Sequence, residues 1–194
     1  MIPLVASGTV FAAWILSWFI AALWSRRTTA RPPRGARAPD LVLTVVGAGL
    51  IAYAARTRAL LGDVGPFAWR LPPAFGWLLM ICMTLGLAFT WWARLTLGDL
   101  WSGQVVRKEA HVIVRGGPYR LVRHPIYTGL IVALFAWAVQ LGRPAAVVGA
   151  LLMAVGFWAK ARLEERFLSA ELGDAYAAFR RETPMLIPGW PVRR

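Results

Sequence analysis

Residues 125–161 read PIYTGLIVALFAWAVQLGRPAAVVGALLMAVGFWAKA. The stretch holds two apolar runs, Ile126 to Leu141 and Ala145 to about Ala161, which are separated only by Gly142, Arg143 and Pro144. Runs of this length and composition are typical of helices that cross a lipid bilayer. A connection of three residues allows only antiparallel neighbours. The stretch therefore predicts a tight helical hairpin in a membrane.

The two arms of this hairpin carry small residues four positions apart. Gly129 precedes Ala133 in the first arm, and Ala145 precedes Gly149 in the second. This spacing lets membrane helices approach closely. We therefore expect close packing along the hairpin.

Three further apolar runs precede the hairpin: Ile2 to Trp24, Leu41 to Leu61, and Phe75 to about Leu95. The chain has 194 residues, of which 58% are hydrophobic, and its mean hydropathy is +0.55. A soluble domain of this size could not bury that much apolar surface. The first run precedes its positive charges, so we interpret it as a retained span rather than a cleaved signal peptide. Asp40 is the expected N-cap of the second span. The predicted fold is an all-α integral membrane protein with about five transmembrane helices.

The basic residues lie between the apolar runs, and the formal net charge is +13. Of the 22 Lys and Arg residues, 18 fall in residues 25–40, 94–125 and 160–194, which lie on one side of the five-span arrangement. This asymmetry follows the positive-inside rule and argues against a nucleic-acid partner, which needs a solvated basic surface. It predicts an outside N-terminus and a cytoplasmic C-terminus. Cys82, the only cysteine, lies in an apolar run, so neither a disulfide nor a zinc cluster is expected.

The segment after the fifth span has helical periodicity. Its apolar residues recur at helical spacing with polar residues between them: Leu163, Phe167, Leu168, Leu172, Tyr176 and Phe179. We expect a cytoplasmic amphipathic helix, interrupted at Gly173 and ending before Pro184. We divide the chain into an N-terminal transmembrane part, residues 1–95, and a part that carries the chemistry, residues 96–194.

Two polar blocks, residues 97–127 and 160–188, bracket the hairpin on the same side of the membrane and should meet in space. In the first block, Pro125 suits the first position of a helix, and the free N–H groups after it favour a carboxylate or a phosphate. The block could equally be a juxtamembrane anchor whose arginines hold lipid head groups. His124 could cap the following helix or contact a ligand.

Glu164 and Glu165 follow the fifth span, close enough to the membrane for their charges to need partners. A cationic group of a ligand is one candidate. The alternative for at least one of them is an ion pair with Arg162, with Arg166 or with an arginine of the first block.

These residues resemble the isoprenylcysteine carboxyl methyltransferase family and the related phospholipid methyltransferases, over roughly residues 97–188. The resemblance is carried, in chain order, by Leu97-Gly98, Trp101-Ser102, His111, Gly117-Pro118-Tyr119, Arg123-His124-Pro125, Tyr127, Gly129, Glu164-Glu165, Leu168, Gly173 and Tyr176. Each motif alone is weak, whereas their order and their placement around a short hairpin are specific. Met185 to Trp190 matches the family's basic and aromatic C-terminal stretch only loosely.

The resemblance implies a membrane enzyme that uses S-adenosyl-L-methionine, with its site sealed by the C-terminal segment. The implied cofactor-binding residues are His111, Gly117, Tyr119, Arg123, His124, Pro125, Tyr127, Glu164 and Glu165. One of the two glutamates would receive the ammonium group of the cofactor. Arg120 and Arg123 are the candidate catalytic residues, holding an anionic acceptor or the cofactor carboxylate.

The acceptor is expected to be hydrophobic or lipid-like and to enter from the bilayer, with O-methylation of a carboxylate favoured because it needs no general base. A prenylated thiol acid, a phospholipid amine, a fatty acid and a small hydrophobic xenobiotic stay open as acceptors. The Ala, Arg and Trp usage is typical of a GC-rich bacterial genome, where a prenylated protein is less expected as acceptor than a lipid or a small molecule. The expected location is a bacterial inner membrane, and the distribution of basic residues predicts that the site faces the cytoplasm. The alternatives are an NADPH-dependent isoprenoid or sterol reductase and a non-enzymatic lipid-binding protein.

Overall fold

The computed structural model describes residues 2–22, 38–62, 64–65, 67–98 and 113–189. Its elements are α1 (Ile2–Ala22), α2 (Ala38–Leu61), α3 (Pro73–Leu97), a 3₁₀-helix (Gly117–Arg120), α4 (Pro125–Leu141) and α5 (Pro144–Glu182). Four of the helices are long and apolar enough to cross a membrane, and α4 is a shorter apolar helix of 17 residues. The described part of the chain contains no strand. The predicted all-α membrane fold is confirmed.

The hairpin between α4 and α5 is as tight as its sequence predicts. Gly142 follows α4 in the left-handed conformation, with a φ of 66°, and its N–H donates to the carbonyl of Val139. A Cβ atom at Gly142 would collide with the carbonyl oxygen of Trp69, so glycine is required here for space as well as for conformation. Pro144 then occupies the first turn of α5, where its missing N–H is tolerated.

Two glycines of the hairpin, Gly129 and Gly149, lie against helices outside it. A Cβ atom at Gly129 of α4 would meet the carbonyl oxygen of Gly86 in α3, and one at Gly149 of α5 would meet the carbonyl oxygen of Gly47 in α2. The close approaches are therefore α4 to α3 and α5 to α2. The predicted close packing at Gly129 and Gly149 is confirmed. Helical spacing shows that a helix face carries small residues, but it does not identify the helix that packs against that face.

Polar side chains inside the membrane region fasten α1 to α3. Trp14 Nε1 donates to Thr90 Oγ1 at 2.9 Å, and Trp91 Nε1 donates to Ser17 Oγ at 3.1 Å. A third hydrogen bond between α1 and α3 comes from the buried Arg94, which donates from Nη2 to the carbonyl oxygen of Ala21 at 2.6 Å. The last turn of α3 is thereby fixed, and the 3₁₀-helix packs against it.

The part of α5 before Gly173 is about 43 Å long at 1.5 Å per residue, whereas the hydrocarbon core of a bilayer is about 30 Å thick. It therefore continues beyond the fifth span, and the amphipathic segment belongs to the same helix. Gly173 interrupts it with φ 50° and ψ −128°, and it ends at Glu182, before Pro184, as expected. One cap prediction was wrong: Asp40 is the third residue of α2, where a carboxylate favours the helix dipole, and it does not precede the helix.

Candidate active site

The two polar blocks meet, as predicted, where the start of α4 lies beside the part of α5 beyond the fifth span. Side chains from Arg123, His124 and Tyr127 reach Glu164 and Glu165 across about 40 residues of sequence. The hairpin produces this contact because it returns α5 antiparallel to α4. The result is a compact group of ionisable side chains at one end of the helices, which we call the charged cluster.

Arg123 and Glu165 form a buried ion pair, with side-chain exposures of 7% and 5%. Arg123 donates to Glu165 Oε1 from Nε at 2.7 Å and contacts the same oxygen from Nη2 at 2.6 Å. Its remaining nitrogen, Nη1, donates to the backbone carbonyls of Arg180 and Thr183. The guanidinium is thus held by the protein on every side, which is the condition under which a buried charge is stable.

His124 lies between the two glutamates. Its Nδ1 is 3.4 Å from Glu164 Oε2, and its Nε2 is 3.3 Å from Glu165 Oε1. Only the doubly protonated imidazolium can donate from both nitrogens. Burial lowers the pKa of His124, but the hydrogen bonds and charges of the two carboxylates outweigh it and raise that pKa above its usual value.

The capping alternative for His124 is wrong for its side chain. His124 occupies the N-cap position of α4, but its side chain makes no capping hydrogen bond to the helix. The ring is turned toward Glu164 and Glu165, and an imidazolium that donates from both nitrogens has no lone pair left to accept a backbone N–H.

Tyr127 connects Glu164 to the apolar interior. Its hydroxyl donates to Glu164 Oε1 at 2.6 Å, and its ring stacks between His124 and Phe157 at centroid distances of 5.7 and 5.6 Å. The Nζ atom of Lys160 lies 5.6 Å from the centre of the Tyr127 ring. The Glu164 side chain is 19% exposed, whereas that of Glu165 is 5% exposed. Glu164 is therefore the carboxylate of the pair that solvent or a ligand can reach.

The segment after α5 crosses the start of α4. Arg123 N and His124 N donate to the carbonyls of Pro184 and Met185 at 2.9 and 3.1 Å, and Thr128 Oγ1 donates to that of Leu186 at 2.6 Å. These bonds lay the C-terminal segment along the charged cluster. This is the position that the family resemblance implies for it.

The other candidate residues are placed less centrally. Gly117 has a φ of +54°, and a Cβ atom there would lie 2.9 Å from Thr96 Oγ1. Tyr119 is buried, and its pKa is raised by burial and by the Glu164 charge, against the opposing effect of Arg94. Arg120 is exposed at the end of the 3₁₀-helix.

Pro125 begins α4, at the first helical position that its sequence predicts. His111 lies outside the described residues. The structure therefore gathers Arg123, His124, Tyr127, Glu164 and Glu165 in one cluster, with Tyr119 within electrostatic range of it.

Sequence reasoning missed several residues of the cluster. Arg180 Nε lies 3.6 Å from Glu165 Oε2, and the Arg180 and Thr183 carbonyls hold Arg123. Lys160 contacts the Tyr127 ring, and Thr128 donates to the Leu186 carbonyl, and neither contact has a sequence motif that predicts it. The irregular backbone at Gly173 changes the direction of α5 between Glu165 and Arg180, so helical spacing carried no signal for this contact.

The helices and the charged cluster define the class of this protein: an all-helical integral membrane protein with an ionised site at one end of a helical hairpin. Residues 77–170 match the family model of the isoprenylcysteine carboxyl methyltransferase (ICMT) family. The match covers 94 of the 194 residues, and it confirms the resemblance seen in the sequence.

The individual relatives that the chain resembles are named for different activities. The chain is 42% identical over 89 residues to a methanethiol S-methyltransferase of Mycobacterium tuberculosis, which covers 44% of this chain and 32% of the relative. It is 32% identical over 114 residues to the cobalt-zinc-cadmium resistance protein CzcN of Cupriavidus metallidurans, covering 58% and 51%. It is 31% identical over 86 residues to the protein-S-isoprenylcysteine O-methyltransferase of Schizosaccharomyces pombe, covering 42% and 35%. The chain thus spans at most about half the length of these relatives.

Proposed function

We propose that this protein is a membrane methyltransferase that uses S-adenosyl-L-methionine and acts on a hydrophobic acceptor. The observation that carries the proposal is Glu164: an ionised, partly exposed carboxylate held by Tyr127 and His124 at the end of the hairpin. The match of residues 77–170 to the family model supports the same reaction class. The excess of basic residues in residues 25–40, 94–125 and 160–194 supports a cytoplasmic site, in a bacterial inner membrane.

The chemistry of the charged cluster fits the cofactor. S-adenosyl-L-methionine carries an ammonium group, for which the partly exposed Glu164 carboxylate would be a charge-assisted acceptor. It also carries the methyl group on a sulfonium, which is the electrophile of the reaction. Tyr119 and Tyr127 would line the same region beside Glu164.

The contacts of the two candidate catalytic arginines refine their proposed roles. Arg123 is held by Glu165 and by two backbone carbonyls, so it orients that glutamate and the C-terminal segment. Arg120 is exposed and stays the proposed partner of an anionic acceptor or of the cofactor carboxylate. In methyl transfer the protein mainly positions and desolvates the reactants, and the buried ion pair provides a rigid, water-poor wall for this.

Two acceptor chemistries are supported. An ionised carboxylate needs no general base, and one relative is named an O-methyltransferase. A second candidate is a small hydrophobic thiol, because relatives named methanethiol S-methyltransferase reach 42% and 39% identity. A thiol acceptor must lose its proton before or during attack, because the thiolate is the nucleophile.

The cofactor proposal is tested by calorimetric titration of the detergent-solubilised protein with S-adenosylhomocysteine. Glu164→Gln removes one charge-assisted hydrogen bond worth roughly 1.5 to 3 kcal/mol, so affinity should fall about ten-fold or more. The matched control is Glu171→Gln, which removes the same charge from an exposed position of the same helix and should bind like wild type. Equal binding by wild type and folded Glu164→Gln would contradict the proposed site. Saturable binding of NADPH instead would favour the reductase alternative.

A further inference from the structure

The outward face of α5 changes from apolar to basic along its length. Six exposed residues follow one another at intervals of three or four, so they share one face of the helix: Val148, Leu151, Val155, Trp158, Arg162 and Arg166. The four apolar members are between 47% and 50% exposed. We call these six residues the α5 outer face.

The change falls at the depth of a membrane interface. At about 1.5 Å per residue, Trp158 lies about 21 Å from Pro144 along α5, and Arg162 lies about 27 Å from it. The hydrocarbon core is about 30 Å thick, so a helix that begins at one interface carries these two side chains to the other. Tryptophan and arginine are the residues that favour this level.

The two arginines of the α5 outer face have no acidic partner within the described residues. The guanidinium of Arg162 lies 5.7 Å from the centre of the Trp158 ring, in a cation–π contact. The intervening carboxylates, Glu164 and Glu165, are turned to the opposite side, where they bind Tyr127 and Arg123. The α5 outer face therefore has two adjacent positive charges, Arg162 and Arg166, next to its four apolar residues.

We propose that the α5 outer face binds an anionic phospholipid. The lipid phosphate lies between Arg162 and Arg166, and an acyl chain lies along Trp158, Val155 and Leu151. Each basic residue near a membrane surface attracts anionic lipid by about 1 kcal/mol, and the apolar strip supplies the contact that a free anion lacks. The site is separate from the charged cluster and does not depend on the proposed methyl transfer.

The test is native mass spectrometry of the full chain in detergent, titrated with phosphatidylglycerol, with phosphatidylcholine, and with inorganic phosphate. Wild type should retain phosphatidylglycerol preferentially. Arg162→Gln/Arg166→Gln should weaken that binding by about 30-fold, two interactions of about 1 kcal/mol each, while phosphatidylcholine binding stays the same. Both substitutions are at exposed positions, so thermal stability in detergent should be unchanged.

Arg181→Gln is the matched control, since it removes an exposed positive charge from α5 beyond Gly173. It should retain phosphatidylglycerol like wild type. The proposal is overturned if the double variant keeps the wild-type preference, if Arg181→Gln loses as much, or if inorganic phosphate displaces the lipid. S-adenosylhomocysteine titration of the double variant separates the two proposals: unchanged binding there leaves the charged cluster intact whatever the lipid result.

Discussion

Substituting Arg123 by glutamine should destabilise the protein strongly. The change leaves the Glu165 carboxylate, with a side chain only 5% exposed, without its closest cation. Breaking a buried pair by removing one partner costs about 3–5 kcal/mol. His124 and Arg180 still face Glu165, which places the expected loss at the lower end, about 3 kcal/mol. The unfolding free energy, measured by denaturant titration in detergent micelles, gives the value directly.

The double variant Arg123→Gln/Glu165→Gln distinguishes an ion pair from two independent contributions. Removing both charges leaves no uncompensated carboxylate, so the double variant should be more stable than the sum of the single losses predicts, by about 1–3 kcal/mol. Arg166→Gln, at an exposed position of α5, is the control and should change stability by less than about 0.5 kcal/mol. Strict additivity, or an Arg123→Gln loss no larger than that of the control, would refute the ion-pair account.

Further predictions concern pH, packing, topology and acceptor entry. Because the His124 pKa is raised in the fold, its stabilising contribution is complete below its unfolded pKa of about 6.5 and is lost as pH rises through the folded pKa. Thermal stability should therefore fall with rising pH more in wild type than in His124→Gln. Gly129→Ala should cost about 1–3 kcal/mol because its Cβ meets the Gly86 backbone, whereas Gly49→Ala, which meets nothing, should cost nothing, as unfolding titrations would show. In intact cells, an impermeant thiol reagent should label a cysteine at Gly65 but not one at Arg34. Turnover should rise with acceptor chain length until partitioning saturates, and equal turnover of short and long analogues would contradict entry from the bilayer.

The fold could be predicted from hydrophobicity because a membrane restricts a chain to few solutions. Apolar runs of about 20 residues must be helices when no water can satisfy their backbone. The three residues after Leu141 then force the hairpin, and the structure agrees. Helix partners could not be predicted, since Gly129 carries no information that it meets Gly86 in α3. The boundary between residues 1–95 and 96–194 stays a prediction.

The central pairs of the site could be predicted because the hairpin fixes which polar blocks meet. Arg123, His124 and Tyr127 contact Glu164 and Glu165 for that reason. Which glutamate is buried could not be predicted, since successive residues on a helix differ in direction by about 100° and the direction of the core was unknown. The contributions of Arg180 and Thr183 arise after the Gly173 interruption, where a helical repeat no longer applies.

The central claim is methyl transfer at the charged cluster, and one measurement tests it most directly. Purified protein in lipid nanodiscs is incubated with methyl-labelled S-adenosyl-L-methionine and either a hydrophobic thiol or a long-chain carboxylic acid, and the labelled product is measured by mass spectrometry. Wild type and Glu171→Gln should form labelled product from one of the two acceptors. At a limiting concentration of S-adenosyl-L-methionine, Glu164→Gln should form at least about ten-fold less product. Label in neither acceptor with folded wild type, or equal product from Glu164→Gln, would contradict the account.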